Sequence, residues 1–127
     1  MARPPAKELT ERELEIMHVF WHQGALTASQ VRDSLAEGGR DLAYTTVATL
    51  IRILTEKGFL KQTGRSRPFL YKPRKTFAEV SRRLVTDLVD RVFQGSSTQL
   101  LVHLMEQEDL AEETRAELER ILREKSP

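Results

Sequence analysis

Residues 43 to 58 read Ala43-Tyr44-Thr45-Thr46-Val47-Ala48-Thr49-Leu50-Ile51-Arg52-Ile53-Leu54-Thr55-Glu56-Lys57-Gly58. Val47, Leu50, Ile51 and Leu54 recur at helical intervals, so one stripe of this stretch must be buried. Thr45, Thr49, Arg52 and Glu56 follow at spacings of four, three and four and fall on the opposite face, with Tyr44 and Thr46 in the first turn. The spacing predicts a helix from Ala43 to Lys57, stopped by Gly58 where a left-handed residue is favoured. Its outward face is polar and short.

Upstream, Thr10 and Glu13 stand at capping-box spacing ahead of Leu14, Met17, Phe20 and Trp21. They predict a first helix from Glu11 to Gln23, ended by Gly24. Ala25 and Leu26 form a connector with room for one strand bridge. Thr27 then caps a second helix that buries Val31 and Leu35 and stops at Gly38-Gly39. Downstream the period changes to alternation: Phe59, Leu60 and Gln62, a turn at Gly64-Arg65-Ser66-Arg67-Pro68, then Phe69, Leu70 and Tyr71. Three helices followed by a hairpin with a basic tip is the order of the winged helix-turn-helix.

A helix laid in the major groove needs short side chains so that its backbone can approach base edges, and threonine can pair through its hydroxyl or pack its methyl on thymine. Tyr44, Thr45, Thr46 and Thr49 meet that need. Arg52, a turn later, would reach a guanine edge or the backbone, while Arg65 and Arg67 on the wing would neutralise phosphates or enter the minor groove.

The charge distribution points the same way. The 127 residues carry a net charge of only +1, but residues 1–75 hold thirteen Lys/Arg against eight Asp/Glu and residues 76–127 hold seven against eleven. Arg40, Arg52, Lys57, Lys61, Arg65, Arg67, Lys72, Arg74 and Lys75 face only Asp41 and Glu56 within residues 40–75, a concentration suited to a polyanion. Met1 to Lys7, with adjacent Pro4 and Pro5, reads as a flexible arm whose Arg3 and Lys7 could touch phosphates. There is no cysteine, which excludes disulfides, thiolate metal sites and cysteine nucleophiles. With no apolar run of membrane length and no signal-peptide core, the chain is expected to be cytoplasmic, associated with the nucleoid, and not inserted in a membrane.

From Thr76 the sequence is helical again, with a second capping box (Thr76, Glu79) and a wide stripe of Phe77, Val80, Leu84, Val85, Leu88, Val89, Val92 and Phe93. Gly95-Ser96-Ser97 interrupts it. Leu100, Leu101, Leu104 and Met105 begin a fifth helix, and a sixth starting near Leu110 carries Leu118, Ile121 and Leu122. Three helices of this length leave apolar surface that one copy cannot cover, so a homodimer is expected. Phe77, Val80, Leu84, Leu88, Val92, Leu101, Leu104, Leu118 and Leu122 are its expected dimerisation residues. The expected architecture is mainly α with a small β wing: a winged helix-turn-helix DNA-binding domain over residues 1–75, then a three-helix dimerisation domain over residues 76–127.

Four stretches carry a resemblance across almost the whole chain. They are Leu9 to Met17 (LTERELEIM) with Trp21, Ala43 to Leu50 (AYTTVATL), Glu56 to Leu60 (EKGFL), and Met105 to Leu110 (MEQEDL). The chain resembles the bacterial penicillinase-repressor family (BlaI/MecI/CopY type) of winged-helix transcriptional repressors, which bind inverted-repeat operators as homodimers. The resemblance implies base contacts by Thr45, Thr46 and Thr49, backbone contacts by Tyr44 and the wing arginines, and an operator with TACA/TGTA-type half-sites. It also implies regulated genes beside a membrane sensor metalloprotease. In better studied relatives that sensor, or a protease it triggers, releases the repressor by cutting an Asn-Phe bond; the matching pair here is His103-Leu104. The family usually carries arginine at the position of Ile53, whereas here arginine stands at Arg52, about 100° away around the helix. The cysteine box of copper-responsive members is missing. Ala111 holds the place of the serine that often caps the last helix, which weakens that helix start by roughly 1 kcal/mol.

Other residues admit sharper and plainer readings. His18 and His22 stand at a spacing that could share a metal, but no third ligand accompanies them, and surface or boundary positions account for both. Glu11, Glu13 and Glu15 read as an acidic first turn rather than catalytic carboxylates. Ser66, Ser96 and Ser97 are turn and cap residues, and Phe20 and Trp21 are core. Lys72, Arg74 and Lys75 are either a linker or phosphate contacts beside the wing. No cofactor and no enzyme activity are expected. The rival functions are a winged-helix protein-interaction module without sequence-specific DNA binding and, resting on two histidines alone, a metal-dependent enzyme.

Overall fold

The computed structural model describes residues 8–107 and 111–125. The N-terminal arm with Arg3 and Lys7 lies outside the described residues, as does Leu110. The elements are α1 (Glu11–Gln23), β1 (Leu26–Thr27), α2 (Ala28–Glu37), α3 (Tyr44–Glu56), β2 (Leu60–Thr63), β3 (Leu70–Pro73), α4 (Phe77–Val92), α5 (Ser97–Glu106) and α6 (Glu112–Lys125). The chain divides into two compact units, the first through Val80 and the second from Ser81.

In the first unit, Ile16, Met17 and Phe20 of α1, Val31 and Leu35 of α2, and Val47, Ile51 and Leu54 of α3 meet in one apolar core with Leu26, Phe59 and Leu60. β1 gives the wing a third strand. It pairs antiparallel with β3, matching Leu26 to Tyr71, and β3 pairs with β2 in the order β1-β3-β2. The connector between the first two helices is therefore sheet, because Leu26 is buried and its backbone finds partners on β3.

Capping boxes close the starts of α1 and α2, with Thr10 paired to Glu13 and Thr27 to Gln30. α3 ends in a Schellman arrangement. The Phe59 N–H donates to the Leu54 carbonyl at 2.9 Å and the Gly58 N–H to Thr55 at 3.1 Å, with Gly58 at φ +88°. Leu54 and Phe59 are both buried, so this turn fixes where α3 stops and the hairpin begins.

Glu13 is 2% exposed, yet it is fully paired. Lys57 Nζ donates to its two carboxylate oxygens at 2.8 and 3.0 Å and to the Glu8 carbonyl at 2.9 Å, while the Thr10 N–H donates at 2.8 Å. Burial pushes the Glu13 carboxyl up; the Lys57 ammonium and the Thr10 hydrogen bonds outweigh it and hold the carboxyl below its ordinary value. This pair ties the start of α1 to the end of α3.

Trp21 differs from the core position expected of it. Phe20 is fully buried, but Trp21 is half-buried, its Nε1 donating to the Lys75 carbonyl at 3.0 Å and its ring 5.3 Å edge-on from Phe77. The indole N–H needs an acceptor, which the backbone leaving β3 supplies. Val80 also differs. Expected among the dimerisation residues, it is 6% exposed and packs into the core of the first unit, because the capping box at Thr76 and Glu79 starts α4 before that unit ends.

The second unit is three helices with little interior of their own. Ser96 caps α5 by accepting from the Gln99 N–H at 3.1 Å, so that helix begins earlier than the expected Leu100. α6 follows Ala111, and Arg115 on it donates to the Met105 carbonyl. Val89 is buried, but Leu84, Val85, Leu88 and Val92 on α4, Leu101 and Val102 on α5, and Ile121 and Leu122 on α6 are exposed. Among the described residues no helix is long and apolar enough to cross a membrane.

Candidate nucleic-acid interface

α3 presents the face that its sequence spacing predicts. Tyr44, Thr45, Thr49 and Arg52 are exposed and Thr46 is half-buried, while Val47, Ile51 and Leu54 turn inward. The helix starts at Tyr44, with Ala43 in the cap position making no side-chain hydrogen bond. The first-turn N–H groups of α3 are therefore not occupied by a capping side chain. Tyr44 is braced from α2, where the Arg32 guanidinium lies 5.9 Å from its ring centroid. Local sequence gives no signal for that contact, since the two residues meet only when α2 and α3 pack.

The structure narrows the basic stretch of residues 40–75. Arg40 Nε donates to Glu15 at 2.9 Å in a two-pronged pair, and its hydrogen bonds and charge hold the Glu15 carboxyl below the ordinary range. Lys57 is committed to Glu13 and Arg52 to Glu56, the last pair at 2.9 Å along one helix face. Lys61, Arg65, Arg67, Lys72, Arg74 and Lys75 make no ion pair among the described residues. All six belong to the wing or its exit. The Lys75 ammonium rests 4.9 Å from the Phe59 ring and the Arg67 guanidinium 5.5 Å from Phe69.

Register adds a site that the sequence reading did not single out. Lys61 on β2 stands directly opposite Lys72 on β3, and both are exposed. Like charges facing one another across a ladder cost stability unless an anion comes between them. A phosphate would be such an anion.

The histidines form no comparable centre. His22 Nδ1 lies 2.7 Å from the His18 carbonyl oxygen, and the His18 ring packs 5.3 Å from Trp21 and 6.0 Å from Phe77. His103 sits on α5 with its ring 5.9 Å from Phe93, and its neighbour Leu104 is half-buried.

The family model for the penicillinase repressor matches residues 9–124. The chain belongs to the penicillinase-repressor family. Its members are DNA-binding transcriptional repressors, not enzymes. The methicillin resistance regulatory protein MecI of Mammaliicoccus sciuri is 25% identical over 118 residues, covering 93% of this chain and 95% of that protein. The penicillinase repressor of Bacillus licheniformis is 24% identical over 117 residues, covering 92% and 91%. Among solved structures, the DNA-binding domain of the repressor BlaI superposes with a TM-score of 0.50 at 25% identity, covering 62% of this chain and 93% of that one. The family assignment and the winged-helix architecture reached from periodicity therefore agree.

Proposed function

We propose that this family member is a cytoplasmic, nucleoid-associated homodimeric repressor that reads a pseudo-palindromic operator with α3 in the major groove and the wing on the backbone. The observation that carries this reading is the pairing of a short threonine face on α3 with six wing cations that have no acidic partner among the described residues. Thr45, Thr46 and Thr49 choose the sequence. Tyr44, Arg65, Arg67, Lys61 and Lys72 position the protein on phosphates. The second unit joins two copies through the exposed residues of α4, α5 and α6, which places the half-sites one helical turn or a multiple of it apart. Release by a sensor metalloprotease acting at His103-Leu104 belongs to the same proposal.

Fluorescence anisotropy on the DNA upstream of the chain's own gene and on a scrambled duplex, each at two salt concentrations, tests it. Binding about a thousandfold tighter to the upstream DNA, with both duplexes weakened by salt, is the expected result. Equal binding to the two duplexes at every salt concentration leaves only a nonspecific anchor, and no binding moves the protein-interaction reading forward.

Two substitutions separate the roles. Thr46→Ala or Thr49→Ala should lower discrimination against single-base operator variants by about 1–3 kcal/mol at one position, whereas Arg67→Ala should weaken all duplexes alike and reduce the salt slope by about one. Equal losses in both classes would refute the division. Glu56→Gln should act in the opposite direction. It frees Arg52 and removes a negative charge from the DNA-facing side, so affinity for any duplex should rise by up to about fivefold at low salt and converge with the parent at high salt.

A further inference from the structure

The start of α2, the middle of α3 and the wing enclose a cleft of about 560 Å³. Its walls are largely apolar: Ala48 and Ile51 of α3 on one side, Pro68, Phe69 and Tyr71 of the wing on the other. No acidic residue lines it, and its one cation is Arg67. That guanidinium is held 5.5 Å from the Phe69 ring and has no ion pair among the described residues. The volume falls in the range of about 300–1,000 Å³ found for small-molecule sites, which combine apolar walls with a few placed polar groups.

A DNA phosphate can engage Arg67 but has nothing to set against the apolar walls. An amphipathic anion uses both. We propose that the cleft binds a small aromatic monocarboxylate, with its carboxylate on Arg67 and its ring between Phe69 and the Ala48–Ile51 surface, and that this ligand and operator DNA compete for Arg67. The competition, though not the binding, rests on the DNA-reading role proposed above. Occupancy would couple the wing to a metabolite signal without proteolysis.

The probe is 2-naphthoate, titrated into the full chain and followed by amide NMR shifts, with 2-naphthamide as the uncharged control. Shifts confined to the start of α2, to Ala48 and Ile51, and to residues 67–71 are expected, with half-saturation at about 1 mM. Naphthamide should bind at least tenfold more weakly. At constant ionic strength, saturating naphthoate should weaken operator binding at least tenfold. Ala48→Leu narrows the cleft between α3 and Phe69 and should weaken naphthoate at least tenfold. Phe69→Ser, outside the buried core, should weaken naphthoate in the same way if Ala48→Leu lowers the melting temperature. Shifts scattered over the surface, equal binding of the amide, or undiminished operator binding by the naphthoate-saturated protein would each overturn the proposal. A ligand-free protein that binds no operator removes the DNA reading instead, and the titration still decides whether the cleft is a site.

Discussion

A Lys57→Met chain is expected to unfold about 3–5 kcal/mol more readily than the parent, toward the lower end because Lys57 itself is 28% exposed. The substitution keeps much of the aliphatic stem but leaves the Glu13 carboxylate enclosed with only the hydrogen bond donated by the Thr10 N–H. Urea melts measure the loss. The Glu13→Gln/Lys57→Met double variant should recover part of it, because the stranded charge is gone. A single variant within about 0.5 kcal/mol of the parent would mean that water already screens the pair.

The same pair sets an acid limb. Glu13 titrates below its ordinary value in the folded chain, so its contribution is fully present above the unfolded-state value and is lost as pH falls through the lowered folded-state value. Melting temperature should drop over that window in the parent and be flatter in Glu13→Gln. Parallel curves would assign the acid sensitivity to other carboxylates.

Leu88→Glu should produce monomers and cost operator affinity about a hundredfold or more, the loss expected when two linked binding modules are separated. Leu88 is 42% exposed on α4 among other uncovered apolar side chains, so a carboxylate there meets water in a single chain and a dry surface only in a pair. Sedimentation gives the oligomeric state. A duplex with a single half-site should bind parent and variant alike, which distinguishes lost linkage from lost folding. A variant that remains dimeric would take Leu88 and its face of α4 out of the interface.

Several features were legible in the sequence because they are local. The helix-period stripes, the capping boxes at Thr10 and Thr76, and Gly58 after α3 each announce themselves within a few residues, and they suffice for the winged-helix order. Charge was less legible. Counting residues 40–75 credits Arg40 and Lys57 to the polyanion surface, but their partners, Glu15 and Glu13, lie 25 and 44 residues away on α1 and come close only on folding. The Lys61–Lys72 pairing depends on which residue of β2 meets which of β3, and the alternation within each four-residue strand does not fix that offset. Val80 shows a similar limit: the apolar stripe of α4 is continuous in sequence, and nothing in its period marks where burial in one unit gives way to exposure in the next.

The one tryptophan of the chain lies where its indole N–H grips the Lys75 backbone and its ring leans on Phe77 and His18. The molecule thus has an intrinsic optical gauge at the joint where the last strand hands the chain to α4. Strain delivered through that joint, by DNA on one side or by a partner copy on the other, would register as a change in emission without any label. Stopped-flow mixing could then time the arrival of operator and of the second subunit on the same channel.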